Sequence, residues 1–124
     1  MHILLTLKNN LIVNYILCDM EFLDEEVKEG QIQLFIPKET LIKVQPGKTK
    51  YINNDFDFTD NDESYIKDNI RIFRKELCFD IVNRGQVWYN TLTENQKQEL
   101  QIWYQSWLDA PETLIIPNKP SWLN

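Results

Sequence analysis

Five acidic residues lie close together near the middle of the chain and could bind a metal ion. They are Asp55, Asp57, Asp60, Asp62 and Glu63. Hard cations such as Ca²⁺ bind several carboxylate oxygens, but the spacing here does not match an EF-hand loop. A loop beginning at Asp60 would place Tyr65 where the sharp turn needs glycine, and Arg71 where a bidentate glutamate is needed. We therefore predict a solvated loop ahead of a helix, with no metal bound.

One histidine and two cysteines are the remaining candidates for catalysis. His2 has no partner residues at a recognisable catalytic spacing. Cys18 ends an apolar run and Cys78 follows Leu77 in a helical pattern, so we predict that both thiols pack in the core. The sequence contains no phosphate-binding glycine loop, GxSxG motif or HExxH motif. It predicts a protein that is not an enzyme and needs no cofactor.

An aromatic helix near the C-terminus is the clearest predicted element. Thr93 and Gln96 have the capping-box spacing, and the apolar residues that follow share one helical stripe. The stripe comprises Leu100, Trp103, Tyr104, Trp107 and Leu108. Because Trp and Tyr dominate binding hot spots, this stripe is a candidate partner surface as well as candidate core. Pro111 is predicted to end the helix.

The segment that follows, TLIIPNKPSWLN, is too apolar for a solvated terminus and too rich in proline for a helix. Proline keeps such a segment extended and lowers the entropy lost when it docks in a groove or against a sheet edge. The sequence leaves open whether it docks on its own domain or on a partner. We predict a partner contact, formed by Trp103, Trp107, Leu114, Ile115, Ile116, Pro117, Pro120, Trp122 and Leu123.

The first half of the chain has the pattern of strands that would support these segments. The runs His2–Leu7 and Leu11–Cys18 are rich in Leu, Ile and Val, and Asn9 and Asn10 between them tolerate a left-handed turn. We predict a β-hairpin. A third strand is predicted at Gln31–Ile36, where apolar and other residues alternate until Pro37.

A further reversal is predicted at Gln45-Pro46-Gly47-Lys48, which has the residues of a type II turn. Its arms are Thr40–Val44 and Thr49–Phe58. Within the second arm, Asn53-Asn54 predicts a very short hairpin between Lys50–Ile52 and Asp55–Phe58.

A helix is predicted after Glu63, since apolar residues then recur every three or four positions at Ile66, Ile70, Phe73, Leu77 and Ile81. Arg71, Arg74 and Lys75 are predicted on its outer face, and Gly85 is predicted to end or kink it. The resulting fold class is α+β: antiparallel β-hairpins, then two helices and an extended C-terminal tail. We divide the chain into a β module at 1–60 and a helical hairpin with the tail at 61–124, or read it as one compact domain.

The amino-acid composition and net charge argue against several classes of function. The chain has 124 residues, of which 43% are hydrophobic, so it can bury a core without disulfides or metals. Its net charge of −6 argues against nucleic-acid binding. The sequence lacks an apolar run of about 20 residues, the length that a membrane span requires. We predict a soluble, cytoplasmic and reduced protein.

Five short motifs stand out in the second half of the chain: RIFRKEL from Arg71, LTENQ from Leu92, WYQ from Trp103, LDAP from Leu108 and PNKPSWL from Pro117. Together they resemble the C-terminal region of short tail assembly chaperones of tailed bacteriophages. The stretch PGKTKYINNDFDF is similar to a small β module that precedes this region in some members. This chain has Tyr104 where the family usually has arginine, lacks a T-D-W element, and has Ile116-Pro117 in place of Phe-Pro.

The resemblance implies non-enzymatic work in tail or tail-fibre assembly through contacts with another tail protein. The chain would be a transient chaperone or a structural tail or baseplate component. It would act in the cytoplasm of the infected bacterium or in the virion tail. The alternative is a small acidic phage or mobile-element protein that inhibits a host cytoplasmic protein. Whether the chain forms homo-oligomers is left open.

Overall fold

The computed structural model of the protein describes residues 1–22 and 26–123. It confirms the α+β fold class, with a five-stranded antiparallel sheet in the first half and helices in the second. The contacts within the chain group into two compact units, Met1–Tyr65 and Ile66–Asn124. None of the described helices is long and apolar enough to cross a lipid bilayer.

The sheet is built from strands β1 to β5, in the spatial order β3-β1-β2-β4-β5. These strands are His2–Lys8, Leu11–Cys18, Gln31–Phe35, Lys50–Ile52 and Asp55–Asp57. Both predicted hairpins are confirmed, since β1 pairs with β2 and β4 pairs with β5. Each turns on two asparagines with positive φ, at 53° and 67° for Asn9 and Asn10, and at 54° and 64° for Asn53 and Asn54. Two left-handed residues in a row give the turn that matches the twist of the paired strands.

The segment between β3 and β4 confirms the predicted turn but not a strand before it. Gly47 has φ 87°, and the Lys48 N–H donates to the Gln45 carbonyl at 3.1 Å, as a type II turn requires. The arm predicted at Thr40–Val44 instead lies mostly in a 3₁₀-helix, Lys38–Lys43. Pro37 fixes φ at −62° ahead of this helix. Leu41 and Ile42 are consecutive and both buried, which the alternating faces of a strand would not allow in a half-buried sheet.

Helical structure begins with α1, Glu63–Arg74, and continues through a π-helical stretch, Lys75–Phe79, into α2, Asp80–Val82. The π-helix bonds residues five apart, which shifts the helix register. Cys78 is therefore fully buried while Leu77, the residue of the predicted apolar stripe, is half-buried. A short helix that the sequence did not predict, α3 at Gln86–Asn90, precedes α4, Glu94–Thr113.

Candidate protein-binding site

The acidic residues singled out in the sequence hold the loop ahead of α1 through separate local contacts. Asp57 accepts hydrogen bonds from the hydroxyl and backbone N–H of Thr59, which lower the pKa of its carboxyl below the usual value. Asp60 forms an ion pair with Lys50 at 3.5 Å, and Asp62 accepts from the Gln45 side chain at 3.0 Å. Among the described residues, no group of three or more His, Cys, Asp or Glu side chains could hold a metal ion.

The two cysteines are free thiols in different environments. The prediction that both thiols pack in the core is confirmed for Cys78, which is fully buried in the π-helical stretch. It is wrong for Cys18, which is only half-buried at the end of β2. Burial raises the pKa of the Cys78 thiol to about 12, although the nearby Arg74 charge lowers it in part. Cys78 therefore stays protonated at neutral pH and has no nucleophilic thiolate.

We expect a thiol reagent to modify half-buried Cys18 of the native protein rapidly. Cys78 should react only as the chain unfolds, because its thiol is buried and protonated and the thiolate is the reactive form. Ellman's reagent measures the number of fast thiols. Cys18→Ser should abolish the fast phase, and Cys78→Ser should leave it unchanged. Two fast thiols in the native protein would contradict the burial of Cys78.

Helix α4 begins with the predicted capping box, which is confirmed. The Gln96 N–H donates to the Thr93 hydroxyl at 3.1 Å, and the Thr93 N–H donates to the Gln96 side chain at 2.9 Å. These two bonds satisfy N–H groups that the first turn of a helix otherwise leaves unpaired. The buried face of α4 consists of Leu100, Trp103, Trp107, Ala110 and Pro111. The other two members of the predicted stripe, Tyr104 and Leu108, are half-buried and exposed.

Pro111 does not end α4, which is a correction to the sequence prediction. The helix continues to Thr113, and Leu114 ends it in the left-handed conformation with φ 59°. Proline has no N–H, so the carbonyl four residues earlier, at Trp107, loses its helical donor. The Arg74 guanidinium replaces that donor and reaches the Trp107 carbonyl oxygen at 3.3 Å. This contact also corrects the prediction that Arg74 faces outward, since its charge lies over the Phe79 ring, 5.3 Å from the centroid.

The tail after Leu114 runs back along α4. The Trp122 indole N–H donates to the Glu99 carboxylate at 2.7 Å, across 23 residues of sequence, and Leu123 is buried. The helix from Glu99 to Thr113 rises about 21 Å. The nine residues from Leu114 to Trp122 are separated by eight steps and span up to about 29 Å when extended, so the tail is long enough to return to that point.

A groove of about 450 Å³ lies between α4 and the returning tail. Its helix side includes Ile102 and Trp103, and its tail side includes Ile115, Pro117 and Pro120. The two isoleucines stay open to solvent, with 68% of Ile102 and 67% of Ile115 exposed. The groove therefore presents apolar side chains from two separate segments to an incoming molecule.

The predicted contact residues divide into two groups. Trp103, Trp107 and Leu123 are at most 4% exposed, so they hold the helical unit together and offer little surface in this conformation. Ile115, Pro117 and Pro120 line the groove, while Leu114, Ile116 and Trp122 are half-buried. The sequence missed Ile102, because it lies outside the aromatic stripe of α4 and becomes part of the groove only when the tail folds back.

The aromatic residues of α3 face cations. The Arg84 guanidinium lies 5.1 Å from the Trp88 ring centroid, and the Lys97 ammonium lies 5.0 Å from that of Tyr89. Such cation–π contacts are worth about 0.5–1 kcal/mol at exposed sites. These rings are therefore occupied by neighbouring residues of the same unit.

Comparison of the chain with family models, with curated proteins and with solved structures finds no match. The resemblance to phage tail chaperones stays a prediction based on the short motifs.

Proposed function

We propose that the chain is a non-enzymatic accessory protein of bacteriophage tail assembly that binds another tail protein through the groove between α4 and its C-terminal tail. It acts as an assembly chaperone or as a structural tail or baseplate component. The observation that carries the proposal is the pair of exposed isoleucines, Ile102 and Ile115, on the two sides of one groove. The C-terminal motifs that resemble the chaperone family form α4 and the tail that build this groove.

The chemistry of the groove suits a protein segment with an apolar anchor. Covering exposed isoleucine contributes roughly 25 cal/mol for each Å² of apolar surface removed from water. The groove also contains the carboxylates of Glu99 and Asp109, which accept from Trp122 and Gln105 within the same unit. A partner side chain with N–H donors would find acceptors beside the apolar contact.

The tail is held in a way that leaves the groove mostly open. Its far end is fixed by buried Leu123 and by the bond from Trp122 to Glu99, whereas Ile115 near its start is exposed. A segment anchored at its two ends loses little further entropy when a partner binds, which favours affinity.

The test replaces the exposed groove isoleucines with aspartate and measures binding to tail proteins. The partner proteins are the tail, tail-fibre and baseplate proteins encoded by the same genome, each co-expressed with the tagged full-length chain. We expect Ile102→Asp and Ile115→Asp to abolish co-purification, because each places a charge in the apolar contact.

Ile72 gives a matched control. It is an isoleucine on α1 with the same 68% exposure as Ile102, and it does not line the groove. Ile72→Asp should leave binding intact, and circular dichroism should show that all three variants keep the fold. Equal loss of binding with Ile72→Asp would exclude the groove as the contact. Retention of a host enzyme instead of any tail protein would favour the inhibitor alternative.

A further inference from the structure

In residues 1–22 and 26–123, strand β2 has an open edge along most of its length. On the side away from β1 it pairs with β4 only at Leu11, which faces Lys50. The next residue, Ile12, bonds to the loop ahead of β4 through the Thr49 carbonyl and the Gly47 N–H. From Asn14 to Cys18, no strand among the described residues pairs with this side.

This open edge lacks the devices that usually prevent strands from pairing between molecules. Edge strands are commonly blocked by charged side chains, by proline or by shortness. Strand β5 is three residues long and carries Asp55 and Asp57. In contrast, the stretch from Asn9 to Cys18 contains no charged residue, proline or glycine. Three apolar side chains of β2 are also exposed, namely Val13, Ile16 and Leu17.

Strand β3 at the outer edge of the sheet is also uncharged, but it is better covered. Four of its five residues are half-buried, and only Phe35 is exposed. Within the described part of the chain, the open part of β2 combines backbone that pairs with no strand on this side with exposed apolar side chains. This is the pattern of a surface that accepts another strand.

We propose that two copies of this chain associate by antiparallel pairing of their β2 edges, Asn14–Cys18, which joins their two sheets into one. This inference goes beyond the proposed function, because the edge lies in the unit Met1–Tyr65 and the groove lies in the other unit.

Charge complementarity supports a second copy as the occupant. Asp19 directly follows one end of the open edge, while Lys48 lies at the other end, in the loop that bonds to Ile12. Antiparallel two-fold pairing brings each copy's Asp19 near Lys48 of the other. The net charge of −6 makes two copies of the chain repel each other. This repulsion is smallest where the contact surface is uncharged and has opposite charges at its two ends, as the β2 edge has.

The register follows from the length of the open edge. Opposite residues in an antiparallel pair lie on the same face of the sheet, and side chains alternate between faces along a strand. A two-fold pair of identical strands therefore matches even-numbered residues with even-numbered ones, and odd-numbered residues with odd-numbered ones. Pairing Asn14–Cys18 over its whole length places Ile16 opposite Ile16 of the second copy. The Cβ atoms of directly opposite residues are about 5 Å apart.

The test is sedimentation equilibrium of the full chain over a range of concentrations. We expect the mass to rise toward twice the 14.9 kDa of one chain. Ile16→Lys and Ile16→Glu each place like charges opposite one another, so each should weaken association about fivefold. Mixing the two variants in equal amounts should restore association, because lysine then faces glutamate.

The control is Ile72→Lys, which places a charge on an exposed isoleucine of α1, away from the β2 edge. The Ile72→Lys variant should associate as strongly as the parent protein. Circular dichroism must show the native fold for each variant, which is expected because Ile16 is 49% exposed. A single-chain mass for the parent at every concentration would overturn the proposal. Association of both Ile16 variants that is as strong alone as mixed would overturn it equally.

Discussion

Replacing Trp107 with alanine is expected to destabilise the helical unit by about 3–5 kcal/mol. The side chain is 1% exposed and is among the largest fully buried side chains of the described residues. Its loss leaves a cavity that neighbouring helices close only in part. All four tryptophans lie in the unit Ile66–Asn124, so fluorescence during denaturation reports on that unit alone. Trp88, Trp103 and Trp122 keep the signal in the variant.

Trp107→Phe is the matched control for this loss. Among the described residues, no hydrogen-bond acceptor contacts the buried indole N–H of Trp107. Phenylalanine keeps most of the ring and removes a polar group whose unpaired burial costs about 1–3 kcal/mol. We therefore expect Trp107→Phe to cost less than half as much as Trp107→Ala. If Trp107→Ala left stability unchanged and abolished partner binding, the residue would be a contact rather than core.

The turns and caps were predictable from sequence because each depends on neighbouring residues. Two asparagines in sequence fix the turn between β1 and β2, since asparagine tolerates positive φ. Gly47 at the third position of its turn has φ 87°, as a type II turn requires. Thr93 and Gln96 are three residues apart and bond to each other's backbone. In each case the information lies within four residues of sequence.

The sequence predictions were wrong or incomplete where a residue far away in the sequence changes the structure that the local residues favour. Proline normally ends a helix because it removes an N–H, and the sequence around Pro111 gives no sign of a substitute donor. That donor is Arg74, which precedes Trp107 by 33 residues and whose charge predicts a solvent-exposed position. The groove was missed for the same reason. Its two isoleucines, Ile102 and Ile115, meet only because Trp122 bonds back to Glu99.

Removal of the Arg74 guanidinium is expected to lower the free energy of unfolding by about 2–3 kcal/mol. Its hydrogen bond to the Trp107 carbonyl is charge-assisted, and the loss leaves this partly buried carbonyl without that donor. Arg74→Met keeps the aliphatic stem and deletes the donor. The free energy of unfolding, followed by tryptophan fluorescence in urea, measures the cost. The same substitution also removes the contact with the Phe79 ring, so its cost alone does not isolate the carbonyl bond.

A double-mutant cycle with Pro111→Ala isolates it. Alanine restores the backbone N–H that the Trp107 carbonyl accepts in an ordinary helix, so the carbonyl no longer depends on Arg74. We expect Arg74→Met to cost about 1 kcal/mol less in the Pro111→Ala background than in the parent. The Phe79 contact is lost in both backgrounds and cancels in the difference.

Equal costs in the two backgrounds would mean that the Trp107 carbonyl does not rely on the guanidinium, and that Arg74 acts through Phe79 alone. The expected coupling would instead explain how α4 continues past Pro111 to Thr113 before Leu114 turns the chain. That extra length sets where the tail begins its return. The tail then reaches Glu99 through Trp122, which places Ile115 across the groove from Ile102. Arg74 does not line the groove, but its bond to the Trp107 carbonyl stabilises the helix that positions the tail.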